Sequence, residues 1–297
     1  MDGVVIMYVE LLKRIKNRNF YISVLCLFLI VVFSVITGLK QYRENMDLVQ
    51  RIYSNNENVL ALVSAHKEWV GLSSQNFFSS LYYFLFPLLI SIALTDSIYS
   101  EKHSGNISYQ LTRMSRKSYY WKKVLFTYMS SFLLFIIPLI FGIILVNVLV
   151  DQWDYSFYSN MYKHLINGTV ELPDNSFEGE KKNIFSSLLA ISPYLYILVY
   201  YVMGGLFAGG YVCIALASSL MLKNKYFVIL LPQVIYMVSW ALFTILGKLS
   251  WDPFNFLDPK QPIEGLSYSP IVIAFVFQVL IAFGLYVYGV KKNDDVL

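Results

Sequence analysis

The chain has 297 residues, of which 57% are hydrophobic and only 14% charged, with a formal net charge of +4. Soluble domains carry about 25% charged residues, so this composition points to a lipid bilayer as solvent and excludes an ordinary water-soluble domain. The charge divides unevenly between two faces, so its sum gives no sign of nucleic-acid binding.

Residues 4–16 read "VVIMYVELLKRIK", within an elbow helix expected over 4–18. On a helical wheel Val5, Tyr8, Val9, Leu12 and Ile15 share one side, with Glu10, Lys13 and Arg14 opposite. That is the pattern of an amphipathic elbow helix lying in the membrane interface.

Crossing a hydrocarbon core about 30 Å thick takes roughly 20 consecutive apolar residues in a helix. Six segments qualify: Phe20–Leu39, Phe77–Ile98, Val124–Val150, Pro193–Leu222, Tyr226–Leu246 and Pro270–Val290. The expected fold is therefore an all-α polytopic membrane protein with six transmembrane helices and one membrane domain. The first apolar run exceeds the roughly 7–15 residues of a signal-peptide core, and no Ala-x-Ala site follows, so it reads as an anchor. Cys26 and Cys213 both fall inside apolar segments and read as packing thiols rather than a disulfide framework.

Orientation follows from Lys and Arg. Segments 1–19, 99–123, 223–225 and 291–297 hold 14 of them, and the longer alternate loops 40–76, 151–192 and 247–269 hold nine. Both termini are expected on the cytoplasmic side. The first outer loop is expected to be partly helical and the second irregular. The third, "GKLSWDPFNFLDPKQPIEGLSYSP", mixes prolines with aromatics and suits a short re-entrant or rim structure.

Three spans carry interior prolines, Pro87, Pro138 and Pro232. Such positions survive in lipid when neighbouring helices satisfy the freed backbone groups. In the fourth span "GGLFAGG" sets Gly205 and Gly209 in a G-x-x-x-G relation continued by Ala208, Ala215 and Ser219. Small residues of this kind mark close helix–helix packing, either within the chain or at a moving point or subunit interface. Tyr82, Tyr83 and Phe86 reach deeper than an interfacial aromatic belt needs and are candidates for lining a cargo path.

Enzymatic constellations are missing. "GGLFAGGY" lacks the lysine of a phosphate-binding loop, and His66, His103 and His164 lack metal-ligand spacing. The chain is read as no enzyme, holding no cofactor or metal of its own. Asp96, near the end of the second span, is the one acid at membrane depth. It reads as an interfacial acid paired with a nearby base, or alternatively as the ion site of a secondary carrier.

Between the second and third spans lies "EKHSGNISYQLTRMSRKSYYWKKVL". Ile107, Leu111 and Met114 give it a thin apolar stripe at helical spacing. Ser115–Ser118 is expected to break that helix before Tyr119, Tyr120 and Trp121 anchor the next span, with Lys122 and Lys123 facing anionic lipid. Positive-inside topology explains the charges and leaves the stripe without a purpose. The segment resembles the cytoplasmic loop of permeases of the type-2 ABC exporter family. These have six spans and an elbow helix, and the loop carries an acid, a Gly, apolar positions, a Ser/Arg pair and an aromatic with a lysine. Glu101 stands at the acid, Gly105 at the Gly, Leu111 at an apolar position, Ser115–Arg116 at the pair, and Lys122 or Lys123 at the lysine.

The resemblance implies that this loop is a coupling helix docking into a separate ATPase, which binds ATP and magnesium. It implies a second contact at "SSLMLKNKY", including Lys223, and pairing with a second permease chain in the plasma membrane. The Ile-, Asn-, Lys- and Tyr-rich usage suits a low-GC Gram-positive bacterium. An amphipathic cargo, a peptide or antimicrobial, is the favoured substrate. A non-transporting envelope scaffold or sensor, and an ion-coupled carrier using Asp96, are the competing readings.

Overall fold

The computed structural model describes residues 17–52, 77–95, 99, 112, 115–151, 153, 184–185, 187–188, 191–259, 263 and 266–294. The elbow stretch 4–16, Asp96, and the loop residues Glu101, Gly105, Ile107, Leu111 and Met114 lie outside them. Among the described residues all regular structure is helical. The helices are α1 (Arg18–Ile52), α2 (Phe77–Leu94), α3 (Arg116–Val150), α4 (Pro193–Ser219), α5 (Lys225–Ile245), a short α6 (Pro253–Phe256) and α7 (Tyr268–Asp294). All but α6 are long and apolar enough to cross a membrane. The chain is a multi-pass helical membrane protein.

Two boundaries differ from expectation. The apolar run of α1 ends near Leu39, yet the helix continues for 13 mostly polar residues to Ile52. Lys40 and Glu44, one turn apart, form an ion pair at 3.7 Å along this extension, and no Gly or Pro interrupts it. The third helix starts at Arg116 rather than Val124. Ser115 precedes it in extended conformation, so the anticipated break through Ser118 collapses to a single residue.

The fourth helix is the axis of the bundle and touches α2, α3, α5 and α7. From Phe207 to Ser219 every residue is buried. Four glycines explain how one helix accommodates so many neighbours. A Cβ on Gly205 would sit 2.8 Å from the Phe132 ring, and one on Gly209 would sit 2.6 Å from Tyr128. Gly204 receives the edge of Phe135, and Gly210 receives the Gln278 amide of α7. Gly205 and Gly209 thus pack against α3 of the same chain. Close backbone approach of this kind supplies dispersion contacts, the chief attraction between helices in lipid.

The first helix lies across α2 and α3, burying Leu27, Val31 and Val35. The faces of α5 and α7 turned away from α4 stay apolar and uncovered, as at Leu230, Val238, Phe277 and Leu280.

Candidate functional site

Two regions concentrate groups that a plain bundle does not require. They lie at opposite ends, one where α5 passes to α7 and one where α4 passes to α5.

At the α5–α7 end the chain does not simply turn over the rim. Gly247 adopts φ +65°, a left-handed backbone that favours glycine. A 3-10 turn, Leu249–Trp251, and α6 follow. Phe254 of α6 meets the rings of Phe84 in α2, and of Tyr236 and Trp240 in α5. Phe256 meets Phe207 of α4, which also meets Phe275 of α7. Phe84 and Phe275 each lie seven residues inside their helices, and Tyr236 lies nine residues inside α5. At 1.5 Å per residue the segment therefore reaches about 10–14 Å below the rim. It is a re-entrant plug, with Phe256 and Leu257 fully enclosed.

Asp252 makes the plug's short helix possible. Proline at the first helical position supplies a compatible φ and no donor to satisfy. The Asp252 carboxylate accepts from the Phe254 N–H at 3.1 Å and from Asn255 Nδ2 at 2.8 Å, capping the first turn. The whole residue is 0% exposed. Burial pushes its protonation midpoint up from 3.8 to about 6, and hydrogen bonding from the Phe254 and Asn255 backbone opposes that rise. Sequence reasoning placed a short re-entrant or rim structure here and passed over Asp252. The available signal was "WDPFNF", an N-cap acid ahead of a proline at the start of a helical turn.

Beneath the plug sits a core of buried tyrosines. Tyr82, Tyr83 and Phe86, the residues proposed to line a cargo path, are brought together and enclosed by α3, α4 and α5. All three rings pack on Phe135, and Phe86 also meets Tyr211 and Tyr236. Hydroxyls in this core meet backbone carbonyls, one of them orphaned by a proline. Pro87 has no N–H to donate to the Tyr83 carbonyl four residues earlier, and the Tyr236 hydroxyl of α5 donates there at 3.0 Å. The neighbouring Phe84 carbonyl accepts from Gln233 Nε2 at 2.9 Å. Tyr82 donates at 2.6 Å to the Phe135 carbonyl, three residues before Pro138. The Tyr196 hydroxyl donates to the carbonyl of Pro259 and so ties the plug to α4.

At the α4–α5 end, Tyr99 from the segment between α2 and α3 donates through its hydroxyl to the Lys223 carbonyl at 2.7 Å. Asn224 caps α5, its side chain accepting from the Tyr226 N–H at 2.9 Å. Tyr119, Tyr120, Leu216 and Leu220 form a small cluster here, closed by the Tyr286 hydroxyl donating to the Tyr120 carbonyl at 2.7 Å. This corrects the expected headgroup anchors. Tyr119 and Tyr120 are buried in the bundle, and Trp121, 54% exposed, is the ring that faces out. Lys123 is 2% exposed, because the earlier helix start puts it on the inward stripe with Tyr119, Thr127 and Ser131. Lys122 is half-buried. The backbone of Arg116 opens α3, while its coupling partners Glu101, Gly105, Ile107, Leu111 and Met114 lie outside the described residues. No group of three or more His, Cys, Asp or Glu suited to a metal occurs among the described residues.

Fold and packing together define the class, a six-span helical membrane protein with a re-entrant plug at one end. No protein-family model, curated protein or solved structure matches the chain.

Proposed function

We propose that this chain is the membrane-spanning subunit of an ATP-driven exporter of the type-2 ABC kind, energised by a separate ATPase. One observation carries the reading. The Tyr99–Lys223 hydrogen bond joins the segment between α2 and α3 to the connection between α4 and α5. These are the two stretches in which the resemblance places the ATPase contacts. A partner docked on Gly105–Arg116 and near Lys223 would meet one continuous surface rather than two separate loops.

Force applied there has a stiff route inward. The third helix runs from Arg116 to Val150 and beds its rings into the glycine face of α4. Closure of two ATPases around ATP and magnesium would move α3 and α4 as a body, and the path for cargo would open at the α5–α7 end. Both termini face the cytoplasm in this reading. Two permease chains pair in the plasma membrane of a Gram-positive bacterium. An amphipathic peptide or antimicrobial is moved outward, and ATP hydrolysis belongs to the partner chain.

The test is co-purification with an ATPase encoded beside the gene, using Leu111→Asp and Met114→Asp variants of the full chain. Loss of association and of stimulated ATP hydrolysis is expected. Full retention of both in the double variant would sink the coupling-helix assignment.

A further inference from the structure

We propose that the seam between α3 and α7 holds one anionic phospholipid, with its phosphate between Lys117 and Lys291 and an acyl chain in the gap at Gly284. Such binding requires only that both helices cross a membrane, so it stands independently of the export reading.

The seam is a crevice rather than a packed contact. Both helices pack along α4, but they meet each other through rings. The Trp121 and Phe283 rings lie 6.4 Å apart, and the Tyr286 hydroxyl donates to the Tyr120 carbonyl at 2.7 Å. The tyrosine pair closes the inner side, while Trp121 and Phe283 stay half exposed on the outer side. Beside Phe283 stands Gly284, itself exposed, where an added Cβ would find nothing within 4 Å. Large exposed side chains, Leu280 and Tyr288, stand one turn away on either side of it. The flank of α7 is therefore notched beside the ring that Trp121 meets.

The charges sit where a headgroup belongs. Lys117 opens the membrane-spanning stretch of α3, and Lys291 closes that of α7. Lys117 lies one turn before Trp121 on the same face, and Lys291 two turns after Gly284 on the same face. The helices run antiparallel, since the start of α3 meets the later part of α7. Side chains lean toward their helix N-terminus, so Lys117 leans away from the ring pair and Lys291 leans back toward it. The axial offset between them narrows, and one phosphate comes within reach of both. Both side chains are exposed, neither is in an ion pair, and no acid lines the seam among the described residues. A basic rim alone is ordinary in membrane proteins. Here two cations, an interfacial ring and an unfilled notch follow one another along the helices, in the order of phosphate, glycerol and acyl chain. Charge complementarity selects an anionic lipid, because a zwitterionic headgroup carries its own cation. At about fivefold per lysine, the preference reaches about 30-fold.

The experiment reads contact at Trp121 in the purified full-length chain, reconstituted in phosphatidylcholine bilayers with a minor share of phosphatidylglycerol. Two bilayers of equal composition differ in which lipid carries bromine, a contact quencher of tryptophan. In one the phosphatidylglycerol is brominated, and in the other an equal amount of the phosphatidylcholine. Subtracting the signal of a Trp121→Phe chain isolates Trp121. Its quenching by brominated phosphatidylglycerol is expected to exceed that by brominated phosphatidylcholine at least about fivefold. Lys117→Gln combined with Lys291→Gln should bring the ratio close to one. Gly284→Leu should do the same, since it fills the notch and leaves both charges in place. All three positions are exposed, and Gly284→Val is a smaller filler should Gly284→Leu purify poorly. Equal quenching by the two lipids in the unaltered chain overturns the proposal. So does a preference that survives the double lysine change, or one that survives filling the notch, because a diffuse basic surface would then suffice. Relief of the quenching by inorganic phosphate would mark a free-anion site and overturn it as well.

Discussion

The bond from Tyr236 to the Tyr83 carbonyl can be tested in isolation, because the proline that creates the need for it is known. Tyr236→Phe keeps the ring and its contacts with Phe86, Tyr211 and Phe254 and removes one hydroxyl. The Tyr83 carbonyl then has no N–H from position 87 and no hydroxyl from α5. A buried acceptor left in that state costs about 1–3 kcal/mol in proteins generally, and interhelical bonds in lipid average nearer 0.6 with a maximum of about 1.7. The proline places this bond toward the upper end, so a loss of about 1–2 kcal/mol is expected. In the Pro87→Ala background the helix regains its own donor to the same carbonyl, and the loss caused by Tyr236→Phe should fall below half. Unfolding from mixed micelles by SDS titration, followed by tryptophan fluorescence, gives the four free energies of the cycle. Equal losses in both backgrounds would show that the hydroxyl does not stand in for the missing amide.

Three further outcomes follow from the same geometry. Gly209→Val should lower stability by about 1–3 kcal/mol, since its Cβ alone would sit 2.6 Å from Tyr128, and Tyr128→Ala should recover part of the loss, read by thermal unfolding in detergent. Asp252→Asn should raise stability by at most about 3 kcal/mol at pH 7.5 and by almost nothing at pH 4. The sign follows from a folded-state midpoint above the unfolded one, which makes the native chain lose stability as pH climbs from about 4 to 6. Gly289→Leu should loosen the α4–α7 contact, because an added Cβ would meet Leu220 Cβ at 2.9 Å; amide exchange in 286–290 should accelerate.

Composition and apolar run length were enough to locate the six long helices, since a bilayer imposes both. The glycine stripe was legible as a packing surface, and the structure supplies the partner, α3, that a stripe alone leaves open. The tail of α1 was expected to be partly helical; what the sequence left open was its continuity with the span, because Lys40–Ile52 is too polar to count as part of an apolar run. Lys123 was misplaced for a related reason. A charged residue at a span's edge normally faces headgroups, and only the helix start at Arg116 turns it inward. The plug was legible as irregular from its prolines. The choice between a re-entrant and a rim structure stayed open, since insertion depends on aromatic partners at Phe84, Phe207 and Tyr236, far away in sequence. Asp252 went unnoticed because a loop acid reads as solvated until the loop is seen to fold inward.

The unbroken length of α1 has a mechanical consequence. Its 35 residues span about 52 Å, some 20 Å more than the hydrocarbon core requires. Such a rod behaves as a lever arm. A tilt of 10° about its Arg18 end would carry Ile52 sideways by about 9 Å, so a small shift at one membrane face becomes a large excursion beyond the other.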